Sequence, residues 1–155
     1  MDYTAVIHSP FGRLGLVVRD RHLTSIDFLS PRAALRPAVD PLARRAVAEL
    51  QHYFTDPGWQ FQLPLAPAGT DFQQRVWSAL REIPSGATRT YGALAARLGS
   101  GARAVGGACR RNPLPIVIPC HRVVAAQGLG GYSGETDGPV IAVKRALLAH
   151  EDRST

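Results

Sequence analysis

Thr90-Tyr91-Gly92-Ala93-Leu94-Ala95-Ala96-Arg97-Leu98-Gly99-Ser100-Gly101-Ala102-Arg103-Ala104-Val105-Gly106-Gly107-Ala108-Cys109-Arg110-Arg111 is the stretch whose reading decides the fold. The run from Thr90 to Leu98 predicts a short helix, and Gly99-Ser100-Gly101 stops it. A second helix is expected from Ala102 to about Arg111. Two short helices joined by a glycine-containing turn make a helix-turn-helix pattern. The second helix divides by face: Arg103, Gly107, Arg110 and Arg111 lie on one side, Val105, Ala108 and Cys109 on the other. Cys109 therefore belongs to the packed side. Gly106 and Gly107 in mid-helix each cost about 1 kcal/mol relative to alanine, so a close neighbour is expected there. A DNA strand and a tightly packed second helix both satisfy that expectation.

The charge around this stretch points to an anionic partner. The chain carries a net +6, divided as seven arginines against six acids in residues 1–70 and eleven basic against six acidic groups in residues 71–155. No acid occurs between Glu82 and Glu135, yet Arg89, Arg97, Arg103, Arg110, Arg111 and Arg122 all do. A one-sided distribution of this kind builds a positive surface suited to phosphate.

Immediately downstream, Ile118-Pro119-Cys120-His121-Arg122-Val123 sets a thiol beside an imidazole at the end of an apolar run read as a strand, Pro115-Ile116-Val117-Ile118. A thiol is a weak nucleophile until it ionises, and at neutral pH only about a few per cent of it is thiolate. His121 is placed to take its proton, and Arg122 to add positive charge nearby. A buried, inert cysteine is the other reading of such a pair.

Pro119-Cys120-His121-Arg122-Val123 resembles the active-site signature of the O6-alkylguanine-DNA alkyltransferases, the methylated-DNA–protein-cysteine methyltransferases. Further matches flank it: Thr70-Asp71-Phe72-Gln73 through Val76-Trp77, Ile83-Pro84-x-Gly86, Ala102-Arg103-Ala104-Val105-Gly106, and Leu148-Ala149-His150-Glu151. The resemblance covers most of residues 69–151 and only faintly the first 65. It implies single-turnover direct-reversal repair, in which Cys120 takes the alkyl group from O6-alkylguanine flipped out of double-stranded DNA. It implies, too, that Glu151 orients His121, that Asn112 bonds around the active-site turn, and that Tyr91 donates to N3 of the departing guanine. By the same resemblance the second helix enters the minor groove, with Arg103 as the finger that fills the vacated stack and Gly106, Gly107, Arg110 and Arg111 along the DNA. Arg111 stands where many relatives have glycine and reads as an extra phosphate contact. Val123, Tyr132 and Ser133 would line the base pocket, the latter two within a Gly-rich lid, Gly128 to Gly134. The chain departs from relatives by inserting Glu135-Thr136-Asp137-Gly138-Pro139 before its last helix, which is expected from about Pro139 to Glu151.

The first half reads as scaffold. Tyr3–His8, Arg13–Val18 and Leu23–Phe28 are β-prone runs that predict an antiparallel meander. Asp40-Pro41 starts a helix with an apolar stripe, Leu42, Ala46, Val47, Leu50, Tyr53 and Phe54, that would cover the sheet. Trp59-Gln60-Phe61-Gln62-Leu63 alternates like a half-buried strand, and Pro64 to Gly69 reads as a linker. The expected architecture is therefore α/β: a small N-terminal α/β domain over 1–66, an antiparallel sheet plus helix, then a mainly helical domain over 70–152 with the helix-turn-helix.

No segment approaches the roughly 20 apolar residues that span a bilayer, and the N-terminus lacks a signal-peptide pattern. A cytoplasmic monomer with two free thiols, no membrane partner, no metal and no cofactor is expected. Two other functions fit parts of the sequence. A non-catalytic helix-turn-helix or lesion-sensing protein shares the DNA-binding features, but Cys120 argues against a sensor that lacks the thiol. A cysteine hydrolase would need an oxyanion hole and repeated turnover.

Overall fold

The computed structural model describes residues 2–128, 130 and 139–152. The chain divides into two units, Met1–Ala68 and Gly69–Thr155. No helix among the described residues is long and apolar enough to cross a membrane.

In the first unit the β-prone runs form β1 (Ala5–Ile7), β2 (Arg13–Arg19) and β3 (His22–Leu29), an antiparallel sheet in the order β1-β2-β3. Ala5 opposes Leu16 and Leu14 opposes Phe28, so the buried side chains Ala5, Leu14, Leu16 and Ile26 share one face. Asp20 and Arg21 make the β2–β3 turn, both with positive φ, the conformation that a two-residue hairpin turn requires. Helix α1 (Pro41–Thr55) begins as its sequence predicts: Asp40 caps the Ala43 amide at 2.9 Å and Pro41 fills the first turn. Its buried residues Ala43, Ala46, Leu50 and Tyr53 cover β2 and β3.

The stretch Trp59–Leu63 forms no strand. Its polar groups are held by α1 instead. Buried Glu49 accepts from the Trp59 indole at 3.3 Å and the Gln62 amide at 2.8 Å, while Arg45 donates to the Gln62 carbonyl. Sheet pairing resumes only at an isolated parallel bridge between Leu23 and Leu65. Alternation read the two faces of this segment correctly as polar and apolar, but its hydrogen-bond partners are side chains rather than a strand edge.

The second unit is helical. Thr70 caps α2 (Asp71–Arg81) in a reciprocal box with Gln73, at 3.1 and 2.9 Å. Trp77 is fully buried, and its indole N–H donates to the Ala108 carbonyl at 2.9 Å. That bond ties α2 to the pair α3 (Tyr91–Leu98) and α4 (Ala102–Arg110). Thr90 caps α3, and Gly99 ends it in the left-handed conformation, φ 66°. A two-residue parallel pair, β4 (Arg89–Thr90) with β5 (Val123–Val124), links the start of α3 to the chain leaving the cysteine turn. Helix α5 (Pro139–Glu151) completes the unit.

Residues 115–118 are not a strand either. Leu114, Ile116, Val117 and Ile118 are buried, as their apolarity demands, but in a turn closed by the Ile118 amide on the Leu114 carbonyl at 2.8 Å. Prolines at 113, 115 and 119 remove three backbone donors, and a strand ladder cannot form without them. Ile116 has φ 75°, a costly value for a β-branched residue that the surrounding packing holds in place.

Candidate active site

Cys120 stands at the first position of a single 3-10 turn, Cys120–Arg122, and is 6% exposed. The turn is set up by Pro119, whose φ of −82° and ψ of 66° form an inverse γ-turn, with the Cys120 amide donating to the Ile118 carbonyl at 2.8 Å. Asn112 spans the same turn from outside. Its Nδ2 donates to the Ile118 carbonyl at 2.8 Å and its Oδ1 accepts from the Leu114 amide at 2.9 Å.

His121 is fully buried, with Nε2 2.8 Å from Glu151 Oε2. Burial holds the imidazole below its usual pKa and keeps it neutral, against the opposing pull of the Glu151 carboxylate. A neutral ring that donates Nε2–H to a carboxylate leaves Nδ1 as the acceptor. Nδ1 is buried and bonds to no protein group among the described residues.

Glu151 comes from the last turn of α5, and Gly86 lets it arrive. At Gly86, φ is +86°, which favours glycine, and a Cβ would lie a tight 3.2 Å from the Glu151 carbonyl, so a side chain there would press on the end of this helix.

Arg122 takes a different place from the one its sequence position implies. Its Nε donates to Glu151 Oε1 at 2.8 Å, Nη2 to Oε2 at 2.9 Å and Nη1 to the Ile83 carbonyl at 2.6 Å, all buried. Its charge is spent on the carboxylate, not offered to the thiol. A second buried cation, Lys144, interacts electrostatically with the Cys109 and Cys120 thiols, and sequence reasoning missed it. Lys144 is 0% exposed, donates to the Val123 carbonyl at 2.8 Å and lies 5.8 Å from the centre of the Tyr91 ring. The available signal was its spacing: Ile141, Lys144, Leu147 and Glu151 repeat on the buried face of α5, and Lys144 is the only lysine in the chain.

Tyr91 opens α3 and is half-buried, its pKa pushed up to about 12 by burial and by the Cys109 and Cys120 thiols. It therefore remains a phenol and a donor throughout the physiological range. A Cβ on Gly130 would come within 3.0 Å of its ring. Cys109 is buried on the packed side of α4, and desolvation, with Cys120 adding to it, raises its pKa to about 12. It is an inert thiol at neutral pH.

On α4, Arg103, Arg110 and Arg111 are exposed. A Cβ at Gly106 or Gly107 would have nothing within 4 Å among the described residues, so close packing on another helix does not explain these glycines. Two of the arginines in the acid-free stretch are committed elsewhere: Arg97 pairs with Glu82 at 2.8 Å and Arg122 with Glu151. Tyr132, Ser133 and the insertion at 135–138 lie outside the described residues.

The model of the family described as 6-O-methylguanine DNA methyltransferase, DNA binding domain, matches residues 71–153. Its ribonuclease-like domain model matches residues 3–67. The chain is 40% identical over 160 residues to the methylated-DNA–protein-cysteine methyltransferase of Methanosarcina barkeri, across 98% of each chain. It is 43% identical to the Mycobacterium bovis protein of the same name, across 97% of this chain and 93% of that one. Its structure is similar to the crystal structure of Mycobacterium tuberculosis O6-methylguanine methyltransferase, with a TM-score of 0.79 and 42% identity over 97% of this chain and 92% of that chain. Mycobacterium tuberculosis OGT crystallised in complex with DNA is similar at a TM-score of 0.77 and 43% identity, covering 94% and 90%.

Proposed function

The chain belongs to the 6-O-methylguanine DNA methyltransferase family, and on that premise we propose that it repairs alkylated DNA by direct reversal, with Cys120 as the permanent acceptor of the alkyl group. The observation that carries the assignment to Cys120 is the buried His121–Glu151 pair at 2.8 Å, which aligns an imidazole base beside the thiol. Nδ1 of His121 takes the thiol proton through a bridging water. The thiolate sulfur then attacks the alkyl carbon of O6-alkylguanine; the S–C bond forms as the C–O6 bond breaks, and the electron pair leaves with guanine. Tyr91 protonates N3 of the departing base and is reprotonated by the proton that left the thiol, so the reaction moves one proton from sulfur to guanine. The thioether product is stable, and each chain acts once.

Helices α3 and α4 serve as a helix-turn-helix whose second helix lies in the minor groove. The open surface at Gly106 and Gly107 supports that placement, since no neighbour among the described residues occupies it. Arg103 fills the stack when the guanine is extruded, at a cost of roughly a few kcal/mol that Arg110 and Arg111 offset on phosphates. Val123, Tyr132 and Ser133 line the pocket that receives the base. One chain carries the whole set of groups, so the acting species is a monomer. A reducing compartment, the cytoplasm, keeps Cys120 as a thiol.

The test is incubation with an oligonucleotide carrying O6-methylguanine, followed by intact-protein and peptide mass spectrometry. One methyl group per protein, on the Cys120 peptide, is expected. Cys120→Ala abolishes transfer and retains DNA binding; methyl transfer to that variant would refute the assignment.

A further inference from the structure

Of residues 112–120, Ile116 alone has a positive φ, 75°, and its side chain is 1% exposed. β-Branched residues are poorly suited to that conformation and glycine is well suited to it. The prolines on either side account for the bend falling there. Pro113, Pro115 and Pro119 each push the residue before them, Asn112, Leu114 and Ile118, towards extended backbone. The turn closed by the Ile118 amide on the Leu114 carbonyl at 2.8 Å encloses only Pro115, Ile116 and Val117, and the ring of Pro115 fixes its own φ. Reversal of the chain is left to the two β-branched residues, and Ile116 makes it.

The bend sets the direction of one carbonyl. Ile118 O accepts from the Cys120 amide at 2.8 Å and from Asn112 Nδ2 at 2.8 Å, so both of its lone pairs are used. Asn112 Oδ1 holds the start of the same turn through the Leu114 amide at 2.9 Å. The main chain of the nucleophile therefore hangs from a carbonyl whose aim depends on the backbone two residues earlier, because reversing the sign of φ at 116 swings everything beyond it.

We propose that Ile116 is a positioning residue of alkyl transfer: its left-handed backbone, pinned by burial of its side chain, aims the Ile118 carbonyl and through it fixes the place of Cys120. The proposal rests on the alkyl-transfer reading of Cys120. A strained conformation persists only where the surrounding structure over-determines it, and residues 114–120 are buried without a break. Glycine would make the bend without strain but leave the turn free to open. The buried isoleucine makes the bend and locks it.

Glycine and alanine at 116 remove nearly the same packing and differ in their tolerance of positive φ. Elsewhere in a folded chain glycine is usually the less stable of the two. Here the order should reverse, with Ile116→Gly melting about 2–4 °C above Ile116→Ala. In both variants methyl transfer at saturating DNA should slow about 10–100-fold, because the sulfur is no longer held in place, while affinity for unmodified DNA is unchanged. Hydrogen exchange of the Cys120 amide, which reports its bond to Ile118, should quicken alongside. Ile116→Val keeps the β-branch and most of the packing, and should keep both the protected amide and the transfer rate.

Glycine melting below alanine would overturn the proposal. So would a folded Ile116→Gly that transfers at the unmutated rate, or one whose rate falls only together with its affinity for DNA. If neither small variant folds, the unmutated protein decides: positive φ brings the amide and α protons of a residue close together, and a weak NOE between them at Ile116 would overturn the proposal. Melting, exchange and the NOE are measured without DNA. The expected results in a protein that transfers no methyl group would count against the repair reading while leaving the hold of Ile116 on Cys120 intact.

Discussion

Glu151 is the residue on which the site converges, because both of its oxygens are used: Oε2 faces His121 and Arg122 Nη2, and Oε1 faces Arg122 Nε. Removing one side of such a buried ion pair strands the other. Glu151→Gln should therefore cost about 3–5 kcal/mol in denaturant unfolding, and slow methyl transfer because His121 loses its orienting carboxylate. Paired loss of stability and activity is the expected signature; an unchanged unfolding midpoint would show that Arg122 finds other partners. His121 adds a pH dependence whose sign follows from burial. Its folded-state pKa lies below the unfolded value of about 6.5, so below that pH the unfolded chain binds a proton that the folded one resists. The stability it contributes is complete above about 6.5 and is lost as the pH falls below it. His121→Gln should show a shallower loss of stability between about pH 7 and about pH 5 than the unmutated protein, as measured by urea titration at each pH.

Among the elements, α4 separates stability from function most cleanly. Its glycines face open space, so Gly106→Ala and Gly107→Ala should each raise stability, by roughly 0.5–1 kcal/mol. The same methyl groups would stand between the helix and DNA. Thermal melting and a DNA titration on one preparation should move in opposite directions; alanine variants that bind DNA undiminished would remove α4 from the interface. The cysteine turn behaves in the contrary way. Asn112→Ala leaves the Leu114 amide and one bond to the Ile118 carbonyl unmet, a loss of about 1–3 kcal/mol, and lets the segment before Cys120 relax. Much of this local structure was readable from residue types: Asp40-Pro41 named its helix start, and Gly99 named a helix stop. The segments 59–63 and 115–118 were misread for one reason. Alternation and apolarity report burial, while a strand also needs a neighbouring edge and free amides, which Glu49 and the prolines deny.

At the scale of the molecule, the excess charge belongs to the second unit, +5 of the net +6 when residues 71–155 are counted alone. Only part of it is available to DNA, because Arg97 and Arg122 are paired with carboxylates. Arg89, Arg103, Arg110 and Arg111 remain from the acid-free stretch. With Arg103 in the base stack, three phosphate contacts from Arg89, Arg110 and Arg111 would give a slope of log affinity against log salt of roughly −3, reduced by about one for each of them replaced by alanine. Arg97→Ala should leave the slope as it is. Filter binding or fluorescence anisotropy across a salt series checks both expectations.

The Cys120-His121 pair, the two short helices α3 and α4 and the starts and stops of several helices are legible in residue types and spacings, since each is a local property of a few consecutive positions. The partnerships of the buried groups around the thiol are not local. Arg122 is turned to a carboxylate 29 residues away, and Lys144, from α5, donates to the carbonyl of Val123 just after the cysteine turn. Electrostatics in a buried site depends on which charges face one another at a few ångströms, and only the packing of α5 against the cysteine turn decides that.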